Sequence, residues 1–106
     1  MNTTLQRVQI LAAKGKIRIS EHGYNELAAD GLFVAQVLHG LEGALVVEDY
    51  PDYPKGPCVL VLQKDASGAA IHAVWGIPAG ASEPAVLVTA YRPDPRRWDV
   101  DFLRRR

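Results

Sequence analysis

The chain has 106 residues, is 48% hydrophobic, and balances 12 basic against 12 acidic side chains for a formal net charge of zero. Those values fit one globular domain over residues 1–106 and exclude a disordered or fibrous chain. No apolar run is long enough to span a bilayer, so no membrane partner is expected.

Residues 3–14 read as a helix. Thr3 and Gln6 have the capping-box spacing, Leu5, Val8, Leu11 and Ala12 keep one face apolar, and Gly15 ends it. These first residues lack a basic start followed by an apolar core, so no secretory signal is expected and a cytoplasmic location follows. Lys16 to Ser20 alternates, with Ile17 and Ile19 on one side, as a brief edge strand would. Ser20 caps a second helix. Tyr24, Leu27 and Ala28 are its expected inner face, and Gly31 its end. Leu32 to Leu41 reads as a third, short helix with a stripe of Val34, Val37, Leu38 and Leu41.

Ala44 to Tyr50 reads as the first strand of the main sheet, with Leu45 and Val47 on one face and Val46 and Glu48 on the other. The connector from Tyr50 to Pro57 carries three prolines and cannot pair inside a sheet. Three more strands follow, at 58–64, 69–76 and 85–91. Turn chemistry bounds each of them: Lys55-Gly56-Pro57, Asp65 to Gly68, and Pro78-Ala79-Gly80 with Pro84. Such short links predict an antiparallel meander. Pro93 and Pro95 then break the last strand. Trp98 and Phe102, four apart, predict a final helical turn that tucks both rings onto the core. Helices first and strands after make an α+β fold, N-terminal helices packed on a four-stranded antiparallel sheet.

Few residues point to chemistry. His22 opens the second helix, roughly opposite its apolar stripe and beside Asn25 and Glu26. A neutral imidazole there can act as a general base, although a plain surface histidine is the commoner meaning. His72 shares a strand face with Ala70 and Val74, while Ile71, Ala73 and Trp75 take the core face. It therefore either meets solvent or ligand on an open sheet face or is bonded to a neighbour. Tyr91 and Arg92 end the last strand, with Thr89 and Tyr91 expected on the face of Leu87. An arginine beside a phenol can bind phosphate and stabilise developing charge, although a capped strand with an exposed arginine is commoner.

Residues 92–106 hold six arginines against three aspartates, a net +3 that leaves −3 on the rest. Such a patch, Arg96 and Arg97 included, can dock a phosphate backbone or an acidic partner. Arg104 to Arg106 read as a solvated tail. The single Cys58 can form no internal disulfide and reads as a core residue. No metal-ligand spacing, glycine-rich phosphate loop or nucleophile motif recurs, so no metal and no cofactor are expected.

Four features carry a resemblance. They are Ser20-Glu21-His22 opening a helix, the break at Asp30-Gly31-Leu32 before Val37-Leu38-His39-Gly40, Ile71-His72-Ala73-Val74 on a strand, and Val88 to Pro93 leading to Trp98. Together they resemble a bacterial domain-of-unknown-function family with S-x-H-A, L-H-V-V and T-x-Y-x-P-x-x-x-x-W signatures, grouped with RelE/ParE-like toxins. The resemblance covers about residues 17 to 98. It implies a RelE-like α+β domain and RNA cleavage without metal, with His22 or His72 as base and acid and with Tyr91 and Arg92 on the phosphate. RNA and a small antitoxin-like protein are the implied partners. A non-catalytic, ParE-like protein-binding module on the same fold is the alternative, with the connector from Tyr50 to Pro57 as its contact surface. The chain departs from the family pattern at Gly23, where alanine is usual, and at Glu26, where arginine is usual. A carboxylate at 26 repels phosphate, but it can orient His22 from one helical turn away.

Overall fold

The computed structural model describes residues 2–106. The elements are α1 (Thr4–Ala13), β1 (Ile17–Ile19), α2 (Glu21–Ala29), α3 (Val34–Gly40), β2 (Leu45–Tyr50), β3 (Cys58–Lys64), β4 (Ala70–Gly76) and β5 (Ala85–Tyr91). None of the helices is long and apolar enough to cross a membrane.

The caps act as the sequence predicts. Thr3 and Gln6 form a reciprocal capping box at the start of α1, and the Ser20 hydroxyl accepts from the Gly23 amide at the start of α2. Each satisfies backbone donors that the first turn of a helix leaves without partners.

The strands order as β1-β5-β4-β3-β2. From β2 to β5 they form the expected antiparallel meander. The sheet is nevertheless five-stranded and mixed, not four-stranded and antiparallel. β1 joins its far edge parallel to β5, pairing Ile17 with Ala85 and Ile19 with Leu87. Residues 20–84 separate these two strands, so no tight turn dictates their direction, and a long connection permits parallel pairing.

One sheet face packs against α1 and α3. Val59, Val61, Ile71, Ala73, Trp75, Ala85, Leu87 and Ala90 meet Leu5, Val8, Leu11, Leu27, Val37 and Leu41 in a single core. Every one of these sheet residues is fully buried, as the alternation in β4 predicts.

Two bulges change which side chains share a face. β2 slips against β3 between Val46 and Glu48. Laterally paired residues point the same way, so Leu45 and Glu48 stand together, across from Leu62 and Leu60. The predicted pairing of Leu45 with Val47 fails for that reason. β5 slips against β4 between its partners Leu87 and Thr89. Leu87 stays in the core while Thr89 and Tyr91 line up with Val74 and His72 on the opposite face. An extra residue in one strand reverses the alternation beyond it, and a strict two-residue period cannot anticipate that.

The face of α2 also differs from expectation. Tyr24 is 56% exposed and Ala28 is exposed, while Gly23 and Leu27 are buried. The helix lies along the edge of β5 that β1 leaves free. Ser20 bonds there through its amide to the Leu87 carbonyl and through its hydroxyl to the Val88 carbonyl. Gly23 makes the approach possible. A Cβ at that position would lie 2.7 Å from the Leu87 carbonyl oxygen and 3.2 Å from that of Val88. An alanine at this position would therefore meet fixed backbone atoms.

The C-terminal arm, residues 93–106, makes one turn, in which the Trp98 amide donates to the Asp94 carbonyl, but no helix runs on from Trp98 to Phe102. Trp98 pairs with Arg105 in an isolated bridge, and the arm folds across the sheet face opposite the helices. Trp98 is buried there, as are Leu60, Leu62 and His72. Its end is pinned as well. Arg105 binds Glu48, and the Arg106 amide and guanidinium donate to the Arg97 and Pro95 carbonyls. Arg104 to Arg106 are exposed, as a solvated tail would be, but the segment is tied down by its backbone and by Arg105.

Gly23→Ala is expected to lower the free energy of unfolding by about 1–3 kcal/mol, the usual range for overpacking against fixed atoms. Equilibrium denaturation by urea measures it, and an unchanged midpoint would contradict the close approach of α2 to β5.

Candidate functional site

His72 sits in mid-strand on β4, and the β5 bulge brings Tyr91 alongside it. The imidazole has no exposed surface. Its Nε2 lies 2.9 Å from the Phe102 carbonyl oxygen and its Nδ1 lies 3.3 Å from the Tyr91 hydroxyl. A carbonyl can only accept, so Nε2 carries the hydrogen and Nδ1 accepts from the phenol. The ring is neutral in this arrangement. Burial holds its pKa below the ordinary histidine value, partly opposed by the Phe102 carbonyl. Burial likewise raises that of Tyr91.

Of the two readings left open for His72, the one bonded to neighbours holds, and the sheet face is closed at this end. The Trp98 ring meets the imidazole edge-on, 4.5 Å between centroids. The Arg105 guanidinium lies 4.7 Å over Trp98, an arrangement favoured by the ring's negative face. Arg105 also grips Glu48 through two hydrogen bonds, of 2.9 and 3.0 Å. Such fork-to-fork pairs are the strong kind. The Arg105 bond lowers the Glu48 pKa, and Glu48 accepts a further bond from the Tyr50 hydroxyl. Phe102, which supplies the carbonyl, is the one non-glycine residue at positive φ among those described, at 60°.

Arg92 leaves the end of β5 and is held three ways. Its amide donates to Asp30, Nη1 donates to the Ala70 carbonyl, and Nη2 lies 2.7 Å from Asp65 Oδ2. Asp65 also organises the β3–β4 turn through Ser67 and Ala69. The Ser67 hydroxyl and then Arg92 hold its carboxyl well below the usual range.

A cavity of about 230 Å³ opens here, lined by Tyr91, Arg92, Asp94, Arg97, Trp98 and Arg105. Three cations face one carboxylate across it. Asp94 turns part of its charge to Arg96, and Arg97 has no ion pair among the described residues. A cleft with this balance suits a phosphate or carboxylate.

The chain thus brings His72, Tyr91, Arg92 and Arg97 together. His22 lines no cavity with them. It stands exposed on α2, 3.3 Å from Glu26, the partner its spacing predicts. Arg96 is exposed and paired with Asp94. Among the described residues, no three His, Cys, Asp or Glu side chains group as a metal-binding set.

The profile of one family, described as a domain of unknown function (DUF4258), matches residues 19–92. The chain belongs to that family. The matched DUF4258 span includes His22, His72, Tyr91 and Arg92. It ends before Trp98, Phe102 and Arg105, so the groups that bury His72 lie outside it. No curated protein and no solved structure matches the chain.

Sequence reading did not find Phe102 or Glu48 as partners in this site. A main-chain carbonyl leaves no trace in residue type. Glu48 did leave one, as one of two adjacent acids closing an otherwise apolar strand in a chain with an arginine-rich terminus.

The neutral His72 has a consequence for acid stability. Its folded pKa lies below the unfolded value near 6.5, so the unfolded chain binds more protons in the window beneath that value. Stability is then complete above about pH 6.5 and falls as the pH drops, by at most about 1.4 kcal/mol per pH unit. Tyr91, Glu48 and Arg105 are the other titratable groups around the ring. Urea titrations across this range should show the slope in the wild type and a shallower one in His72→Gln.

Proposed function

We propose that the chain is a metal-independent ribonuclease of the RelE-like toxin type, acting at the Tyr91 cleft. The observation that carries this reading is the Tyr91 hydroxyl. It is held on the bare nitrogen of His72 and stands at a cleft walled by Arg92, Arg97 and Arg105.

In this scheme an RNA phosphate sits among the arginines with its ribose 2′-hydroxyl at Tyr91. Tyr91 passes its proton to His72 Nδ1 and takes the 2′-proton in exchange. The 2′-oxygen attacks phosphorus and the bond to the 5′-oxygen breaks. The leaving oxygen gains a proton from water, the hydroxide so formed takes back the proton held by His72 through Tyr91, and a 2′,3′-cyclic phosphate remains. The arginines steady the phosphorane. The imidazolium is steadied by the Phe102 carbonyl against burial and the nearby Arg105 charge, which Glu48 offsets in part. Arg96 adds to the positive rim, and the scheme needs no proton from His22.

Purified wild type should cleave single-stranded RNA in the presence of EDTA. Tyr91→Phe keeps the ring and its packing but removes the proton carrier, and should slow cleavage about 10²- to 10⁴-fold. Intact RNA after incubation with folded wild type, or an unimpaired Tyr91→Phe variant, would overturn the assignment.

A protein-binding role on the same fold is the second reading. Leu45 and Val46 stand exposed on β2, whose outer backbone edge is unpaired within the sheet. Strand addition there would suit a small extended partner. A defined complex formed by a chain that cleaves no RNA would favour it.

A further inference from the structure

The same sheet face continues past the cleft into a wider trough of about 620 Å³ that no step above uses. Val74 and Val88 belong to its lining, as do Tyr50 and Tyr53. The two tyrosines are 47% and 50% exposed, so their ring faces are available. Arg18 and Lys55 also line it, and no Asp or Glu does. Neither cation has an ion pair among the described residues, although Lys16, Arg92, Arg96 and Arg105 do.

We propose that this trough holds the bases of single-stranded RNA, stacked on Tyr50 and Tyr53, with the backbone phosphates on Arg18 and Lys55. The choice of RNA rests on the ribonuclease reading; the geometry of the trough does not. Aromatic faces beside unpaired cations are the standard means of holding an unpaired strand without regard to sequence. A duplex keeps its base faces stacked inward and cannot offer them. An apolar peptide would cover the valines but leave two cations unmatched.

Continuity supports the same occupant. The Tyr50 hydroxyl donates to Glu48, Glu48 holds Arg105, and Arg105 lines the Tyr91 cleft. One hydrogen-bonded chain therefore joins the wall of the trough to the wall of the cleft. A strand lying in the trough can pass over that junction and present its next phosphate to Arg92 and Arg97.

Fluorescence anisotropy with a short labelled oligouridylate tests the proposal, since binding is read without cleavage. Uridine stacks weakly on its neighbours and remains single-stranded. Wild type should bind it more tightly than the same strand annealed to its complement. Tyr53→Ala should weaken binding about tenfold. Lys55→Gln and Arg18→Gln should each lower the slope of log affinity against log salt by about one. All three side chains are exposed, so folding is not at stake, and circular dichroism confirms it. Binding with these dependences but without cleavage would leave the trough in place and remove the ribonuclease reading. Cleavage or binding that is indifferent to Tyr53→Ala and to both charge changes would overturn the trough. So would capture of an apolar carboxylate such as a fatty acid by a protein that ignores the oligonucleotide.

Discussion

A polar ring sealed inside an apolar sheet must find a partner for each nitrogen or forfeit about 1–3 kcal/mol. His72 meets that demand with Tyr91 on one side and the Phe102 carbonyl on the other. Much of the C-terminal geometry follows from the second bond. To deliver its carbonyl, Phe102 takes up a backbone conformation that side-chain-bearing residues avoid. Trp98 then fills the space above the imidazole, and Arg105 closes over Trp98 onto Glu48. The arm is ordered because a buried base requires it, although no regular secondary structure holds it.

This arrangement explains which parts of the molecule could be read in the residues and which could not. Helix starts were legible because Thr3 and Ser20 are local signals with local partners. The meander was legible because turn residues separate short apolar runs. The core face of β4 followed from simple alternation, and all three predicted members are buried. Each failure involved something distant in sequence. The parallel pairing of β1 depends on β5, far along the chain. The inward face of α2 is set by an edge of β5 that only Gly23 can approach. Bulges in β2 and β5 depend on what lies across the ladder, so simple alternation puts Tyr91 with Leu87 when it belongs with His72. His72 and Tyr91 were both singled out as candidates, but their contact was not, because a one-residue slip decides it.

The charges follow the same logic. Six arginines near one end suggested a diffuse basic tail. In the fold half of them are paired with acids: Arg92 to Asp65, Arg96 to Asp94, Arg105 to Glu48. Pairing fixes their positions without cancelling the local excess, because only Asp94 among the acids lines the cleft itself. A protein of zero net charge can in this way keep a positive concavity, with low-dielectric walls to concentrate its field. The departures from the resembled pattern fit this view. Gly23 answers a packing demand, and Glu26 faces His22 on an outer helix surface.

The sheet ends in two unlike borders. On one side β1 offers three residues and then gives way to α2, too little backbone to template another strand. On the other side β2 presents six residues with exposed aliphatic side chains. A border of this kind that exists on one flank only can recruit a neighbour once, and the flank is then used up. Two copies joined there would make a closed pair with no sticky end remaining. Growth into a filament, which needs a receptive surface at both ends, has no route through this sheet.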